Sequence, residues 1–128
     1  MTTPSDTIRE FCGAFSRLDV DELLGYFAPD ATYHNIPIDP AVGHEAIGAL
    51  LTMFTGMAKS IDFQIRHLVA DGDIVMTERV DVFDMGDKVV SLPVMGTFEV
   101  RDGKIVAWRA DQRVSRARRL GRGHAHDF

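Results

Sequence analysis

Four stretches of period-two patterning fill the second half of the chain, divided by three turns rich in aspartate and glycine. Ile61 to Ala70, Ile74 to Phe83, Lys88 to Val100 and Lys104 to Arg113 are dense in β-branched and apolar residues. Side chains on a strand alternate faces, so such stretches read as strands half-buried against a core. Asp71-Gly72-Asp73, Met85-Gly86-Asp87 and Arg101-Asp102-Gly103 lie between them. Aspartate and glycine tolerate the positive φ of tight hairpin turns, so the strands are expected to join as an antiparallel meander.

The first half has a helical period instead. Thr3-Pro4-Ser5-Asp6 fits a capping box, with Thr3 as N-cap, Pro4 at the first helical position and Asp6 at the third. Ile8, Phe11, Cys12, Phe15 and Leu18 then recur at helical spacing. Asp19 and Glu22 are placed to cap a short second helix carrying Leu23, Leu24 and Phe27, ended by Pro29. Ala31 to Ile36 reads as a short strand, and Pro37, Pro40 and Gly43 make a loop. A third helix is expected from about His44 to Lys59, with Ile47, Leu50, Leu51, Phe54 and Met57 inward. Helices first and a meander after is an α+β layout. A curved antiparallel sheet packed on three N-terminal helices leaves a conical cavity between the layers.

Composition narrows the function. At 128 residues, 45% hydrophobic and 26% charged, the chain suits one globular domain. No apolar run is long enough to cross a membrane. The opening Met1-Thr2-Thr3-Pro4-Ser5-Asp6 has no basic region before an apolar one, so no secretory signal is expected. The lone Cys12 permits no internal disulfide and sits on an apolar stripe, which points to a buried thiol and a cytoplasmic setting. Residues 1–112 hold 9 Lys/Arg against 18 Asp/Glu, while residues 113–128 hold 5 Arg against 1 Asp. The expected organisation is a domain over 1–112 and a flexible Arg-rich tail over 113–128. An acidic body argues against nucleic acid as the main partner.

The chemistry-bearing residues come in pairs two apart. Arg79 and Asp81 share a strand face, as do Tyr33 and Asn35. Buried charges are costly and persist mostly when paired or functional. Arg79 with Asp81 could be a structural ion pair, Tyr33 a core residue and Asn35 a turn residue before Pro37. Converging on one pocket, the four could position a water and control a proton. His34, His44 and His67 share no ligand spacing, and His124 and His126 lie in the tail, so no metal is expected.

These residues resemble the limonene-1,2-epoxide hydrolase family, within the NTF2-like, SnoaL-like superfamily. The resemblance runs through Tyr33-His34-Asn35-Ile36-Pro37, Pro40-Ala41-Val42-Gly43, Thr77-Glu78-Arg79-Val80-Asp81-Val82, Gly96-Thr97-Phe98, Gly103-Lys104-Ile105 and Trp108-Arg109. It implies an NTF2-like cone-shaped roll and one-step addition of water to a small lipophilic epoxide, giving a vicinal diol without cofactor, metal or covalent intermediate. It implies that Asp81 protonates the epoxide oxygen, that Arg79 bridges the carboxylates, and that Tyr33 and Asn35 hold the attacking water. One group must give a proton while another takes one.

The pattern breaks at the base. The family places a second carboxylate directly after the Trp-Arg pair, where this chain has Ala110 followed by Asp111. A one-residue shift turns a side chain to the opposite face. A β-bulge between Trp108 and Asp111 would re-aim Asp111 into the pocket as the base. Without one, Arg79 would pair with Asp81 alone and favour its ionised form. Two other readings follow from an outward Asp111. One is an isomerase or cyclase of the ketosteroid-isomerase and polyketide-cyclase kind, with Asp81 as base. The other is a non-catalytic protein that binds a hydrophobic ligand. A homodimer is expected through the convex sheet face, with Val90, Leu92 and Val94 needing cover.

Overall fold

The computed structural model describes residues 2–112; the Arg-rich segment expected to be a flexible tail lies outside them. Helix α1 spans Pro4–Ala14 and continues into a 3₁₀ turn, Phe15–Arg17. Its capping box is present as read: the Asp6 backbone N–H donates to Thr3 Oγ1 at 3.1 Å, and the Thr3 N–H donates to Asp6 Oδ2 at 3.2 Å. Helix α2, Val20–Leu24, is capped by Asp19, which accepts from the Glu22 N–H. Helix α3 spans Gly43–Met57 and buries Ile47 and Leu51. No helix among the described residues is long and apolar enough to cross a membrane.

Six strands follow or interleave: β1 Phe27–Ile36, β2 Ala41–Val42, β3 Ser60–Asp71, β4 Ile74–Asp84, β5 Val89–Arg101 and β6 Lys104–Gln112. They form one sheet in the order β2-β1-β6-β5-β4-β3. The last four strands are the antiparallel meander expected from their period. The β5–β6 turn has positive φ at both Asp102 and Gly103, as two-residue hairpin turns require.

Two expectations need correction here. The sheet is mixed rather than purely antiparallel, because β1 runs parallel to β6. Pro29 does not end α2. The helix stops at Gly25, and Pro29 lies inside a longer β1. The β1–β6 register shifts between Phe27 and Thr32, around Pro29. Proline has no N–H for the ladder and is tolerated at such irregularities.

The sheet curls over the helices as a cone-shaped α+β roll. Ile8, Phe11, Cys12 and Phe15 of α1 and its 3₁₀ extension are buried against the sheet, with Leu23, Ile47 and Leu51 from the other helices. The ring centroids of Phe11 lie 5.4 Å from Phe27 and 5.2 Å from Trp108, both edge-on.

The concave face is a lattice of inward side chains. Tyr33, Trp108, Phe98 and Val75 stand in one row across β1, β6, β5 and β4. The next row is Asn35, Ala110, Gly96 and Thr77. Beyond it, Arg79 pairs with Val94, then Asp81 with Leu92, then Phe83 with Val90. Val90, Leu92 and Val94 therefore face inward, not outward as expected: Val94 is buried, and the other two line the cavity. The convex face carries Met76, Glu78, Val80, Val82, Pro93 and Met95 instead.

Candidate active site

The floor of the cone is built from small residues, and a large cation lies across it. Arg79 and Asp81 are 1% and 3% exposed. Arg79 Nε donates to Asp81 Oδ1 at 3.0 Å and Nη2 donates to Oδ2 at 2.9 Å, a bidentate pair. Nη1 donates to Thr77 Oγ1 at 3.0 Å. The guanidinium thus reaches back along its own strand, over the row of small residues. Gly96 makes this possible: a Cβ there would sit 2.5 Å from Nη1 and 3.1 Å from Thr77 Oγ1. Above the cation, the Phe63 ring centroid lies 4.8 Å from Arg79 Cζ.

Across the cavity, Tyr33 stacks on Trp108 with ring centroids 4.1 Å apart and planes 8° from parallel. Asn35 is 4% exposed. Its Oδ1 and the Trp108 Nε1 have no hydrogen-bond partner among the described residues. Unpartnered buried polar atoms are uncommon and mark places where a ligand or water completes the structure. Asp81, Arg79, Tyr33, Asn35 and Trp108 all line one cavity of about 270 Å³. Its other walls are mostly apolar: Phe54 and Met57 from α3, Ile38, and Phe63, Phe83, Met85 and Leu92 from the sheet side. The sequence-predicted quartet therefore meets in one place.

Asp111 does not join it. From Tyr33↔Trp108 through Asn35↔Ala110 to Ile36↔Asp111 the β1–β6 register is unbroken, and β5–β6 is regular there as well. Strand alternation puts Ala110 into the cavity wall, 2% exposed, and leaves Asp111 exposed on the convex face beside Arg109. The bulge that would re-aim Asp111 is absent, so Asp111 does not face the cavity.

Burial governs the protons. It pushes the Asp81 carboxyl above the usual carboxylate range, and the pull of Arg79 in the other direction does not cancel it. Burial thus works against the ionised Asp81 that Arg79 alone would favour, and the net direction of the shift is upward. Arg79 stays a cation, since its bonds and attraction to Asp81 offset the cost of burial. Burial also pushes the Tyr33 phenol up, so it keeps its proton and can donate. The Cys12 thiol, buried and pushed up to about 12, stays neutral.

Two contributors were not assigned a role from the sequence, Thr77 and Gly96. A signal existed for each. Thr77 precedes Arg79 by two residues on the same strand face, and Gly96 interrupts an apolar strand, a sign of close backbone or side-chain approach. Among the described residues, no group of three or more His, Cys, Asp or Glu is arranged to hold a metal ion.

A family model for the SnoaL-like domain matches residues 8–108. The chain belongs to the SnoaL-like family. It is 31% identical over 102 residues to epoxide hydrolase EphG of Mycobacterium tuberculosis, covering 80% of this chain and 68% of that one. A structure of an M. tuberculosis LEH-like epoxide hydrolase superposes with a TM-score of 0.77 at 30% identity, over 91% of this chain and 88% of the other. The resemblance to the limonene-1,2-epoxide hydrolase family thus has both a sequence relative and a structure behind it, and the NTF2-like roll is the fold. TerC, co-crystallised with polyporic acid, shares that fold with a TM-score of 0.76 at 16% identity, over 92% and 98% of the two chains.

Proposed function

We propose that this SnoaL-like protein binds a small lipophilic epoxide in its cavity and opens it by one-step, cofactor-independent addition of water to give a vicinal diol. One observation carries this reading: a buried Arg79–Asp81 pair set in an otherwise apolar cavity wall, facing an unpartnered Asn35 and the Tyr33 phenol. Asp81, whose protonated form burial favours, gives its proton to the epoxide oxygen as the carbon–oxygen bond breaks. Tyr33 and Asn35 hold the water. Arg79 positions Asp81 and offsets the charge that develops on the carboxylate. Apolar walls bind the rest of the molecule and exclude bulk water.

The base half of the reaction is missing, because Ala110 occupies the wall where a carboxylate would face the water, so the proton that the attacking water loses must pass to solvent and Asp81 must be reprotonated from it. Turnover in this chain is therefore slow. The same observation favours a second reading, in which the cavity binds a hydrophobic ligand without chemistry. The isomerase or cyclase reading fits less well, since it needs an ionised Asp81. A cytoplasmic homodimer is part of the proposal, motivated by the single buried Cys12 and by the apolar convex face.

Diol formation from a panel of aliphatic and terpene epoxides in isotopically labelled water tests this. The expected outcome is slow, labelled diol from the native chain. Ala110→Asp should raise the rate by about 10²–10⁴-fold, as one positioned base typically does, and adding Asp81→Asn to that variant should remove the gain. Diol formed equally well by Ala110→Asp with and without Asp81→Asn would remove Asp81 from the mechanism. No diol from any of the proteins would leave only the ligand-binding reading.

A further inference from the structure

Opening an epoxide with water takes a proton donor against the ring oxygen and a proton acceptor against the water, on opposite sides of the substrate. The cavity is equipped on the oxygen side alone. Among the described residues that line it, Asp81 is the only carboxyl and none is a histidine. Asp81 stands on β4 and Tyr33 and Asn35 stand on β1, with β6 and β5 between them. A water held at Tyr33 and Asn35 therefore has no carboxylate beside it, because the wall next to Asn35 is Ala110. The oxygen released from the ring, in contrast, stays against Asp81. Each Asp81 oxygen accepts one bond from Arg79 and keeps a further lone-pair site, so the carboxyl gives and retakes a proton without losing its partner.

We propose that the cavity also isomerises epoxides to aldehydes or ketones, where one ring carbon bears an aryl group or two alkyl groups and the other bears a hydrogen. The inference rests on the reading of Asp81 as the acid that protonates a bound epoxide. The oxygen takes the Asp81 proton as its bond to the substituted carbon breaks, which leaves that carbon electron-poor. A hydride moves there with its electron pair from the neighbouring carbon, which keeps the oxygen. An oxygen lone pair closes the carbon–oxygen double bond, and the O–H proton returns to the Asp81 carboxylate. The product holds every atom of the epoxide, and Asp81 ends as it began. No water, second base or oxidant enters, and unlike enolisation the cycle starts from the acid form of Asp81. Charge is balanced as well. While positive charge resides on the substrate, the Asp81 carboxylate offsets Arg79, so the net charge in the cavity stays constant. Aromatic walls, among them Phe54, Phe83 and Trp108, suit an electron-poor carbon.

Styrene oxide with deuterium at both positions of its CH₂ carbon is the probe, with early samples read by mass spectrometry. Hydride migration gives phenylacetaldehyde that keeps both deuterium atoms, one on each carbon of its side chain; hydration gives the diol. The expected result from the native chain is doubly deuterated aldehyde, formed above the buffer rate and faster than diol. Asp81→Asn should lower aldehyde formation by about 10²–10⁴-fold, the usual contribution of a general acid. That variant should still bind the epoxide, as reported by the fluorescence of Trp108, the sole tryptophan of the chain, which lines the cavity. Ala110→Asp puts a base on the water side and should swing the product ratio toward diol. Diol without aldehyde from the native chain would overturn this proposal and leave hydration standing. Aldehyde that has lost a deuterium to solvent, or that forms equally fast in Asp81→Asn, would also overturn it. Aldehyde without diol would uphold it and remove hydration, and neither product would overturn both readings.

Discussion

At residue 81 a carboxyl group is held by two opposing forces, and the winner has a measurable consequence. Burial raises the Asp81 pKa, while the Arg79 bonds lower it by less. A folded-state pKa above the unfolded value means that the folded chain binds a proton that the unfolded chain has lost. The stabilisation from that proton is complete below the ordinary carboxylate range, about pH 4, and is lost as pH rises through the raised value. Asp81→Asn removes the titration. Urea midpoints followed from about pH 4 upward should fall faster with pH in the native chain than in Asp81→Asn. A native stability that rises relative to the variant over that window would show that Arg79, not burial, sets the Asp81 proton. At the same scale, much of the site was legible in the sequence. Tyr33, Asn35, Arg79 and Asp81 were readable because spacing by two fixes a shared face on any strand. What Ala110 and Asp111 do depended on whether the strand bulges, a property of the ladder that no local spacing reveals.

Elements show the same division between local and distant information. The capping box at Thr3 was readable because it involves groups three residues apart, and it fixes where α1 begins. That helix presents Ile8, Phe11 and Cys12 to the base of the cone, so its start sets the register of those side chains against the sheet. Thr3→Ala removes the acceptor for the Asp6 N–H and should cost about 1 kcal/mol of stability, within the usual range for N-caps. Equilibrium urea unfolding measures this, and cavity ligand binding should be unchanged; an unaltered midpoint would mean that water caps the helix equally well. The meander was readable for the same local reason, since its turns carry their own signals. The parallel β1–β6 pairing was not, because it joins segments about 75 residues apart with nothing local to specify orientation. Strand β5 was misread by face. It has apolar residues on both sides, Val90, Leu92 and Val94 inward and Val89, Pro93 and Met95 outward, so alternation alone could not choose.

For the molecule as a whole, that correction sharpens the case for a dimer rather than removing it. The convex face shows Met76 at 44% and Met95 at 42% exposure, with Val80, Val82 and Pro93 between and beside them. Charged residues stand among them: Glu78, hydrogen-bonded to His67, lies between Met76 and Val80 on β4, and Arg109 and Asp111 lie beside Met95 on β6. A face that combines apolar residues with charges of both signs has the elements of self-complementarity about a two-fold axis, the commonest symmetry of soluble assemblies. Asp111, facing away from the cavity, belongs to that face. Sedimentation velocity at micromolar concentration should show a species of twice the 14.2 kDa chain mass. Met95→Lys is the discriminating variant. Met95 stands directly between Glu78 on β4 and Asp111 on β5's other neighbour, β6, so a lysine there meets two carboxylates within its own protomer and the fold is retained. The same lysine replaces an apolar contact with an ion cluster that must be desolvated for two copies to close over it, a cost that pairing with Glu78 and Asp111 offsets only in part. The variant should sediment as a folded monomer that still quenches or enhances Trp108 fluorescence on ligand binding. A native chain that sediments only at 14.2 kDa would leave the patch without a second copy to cover it. A Met95→Lys protein that remains dimeric would move the interface elsewhere on the molecule.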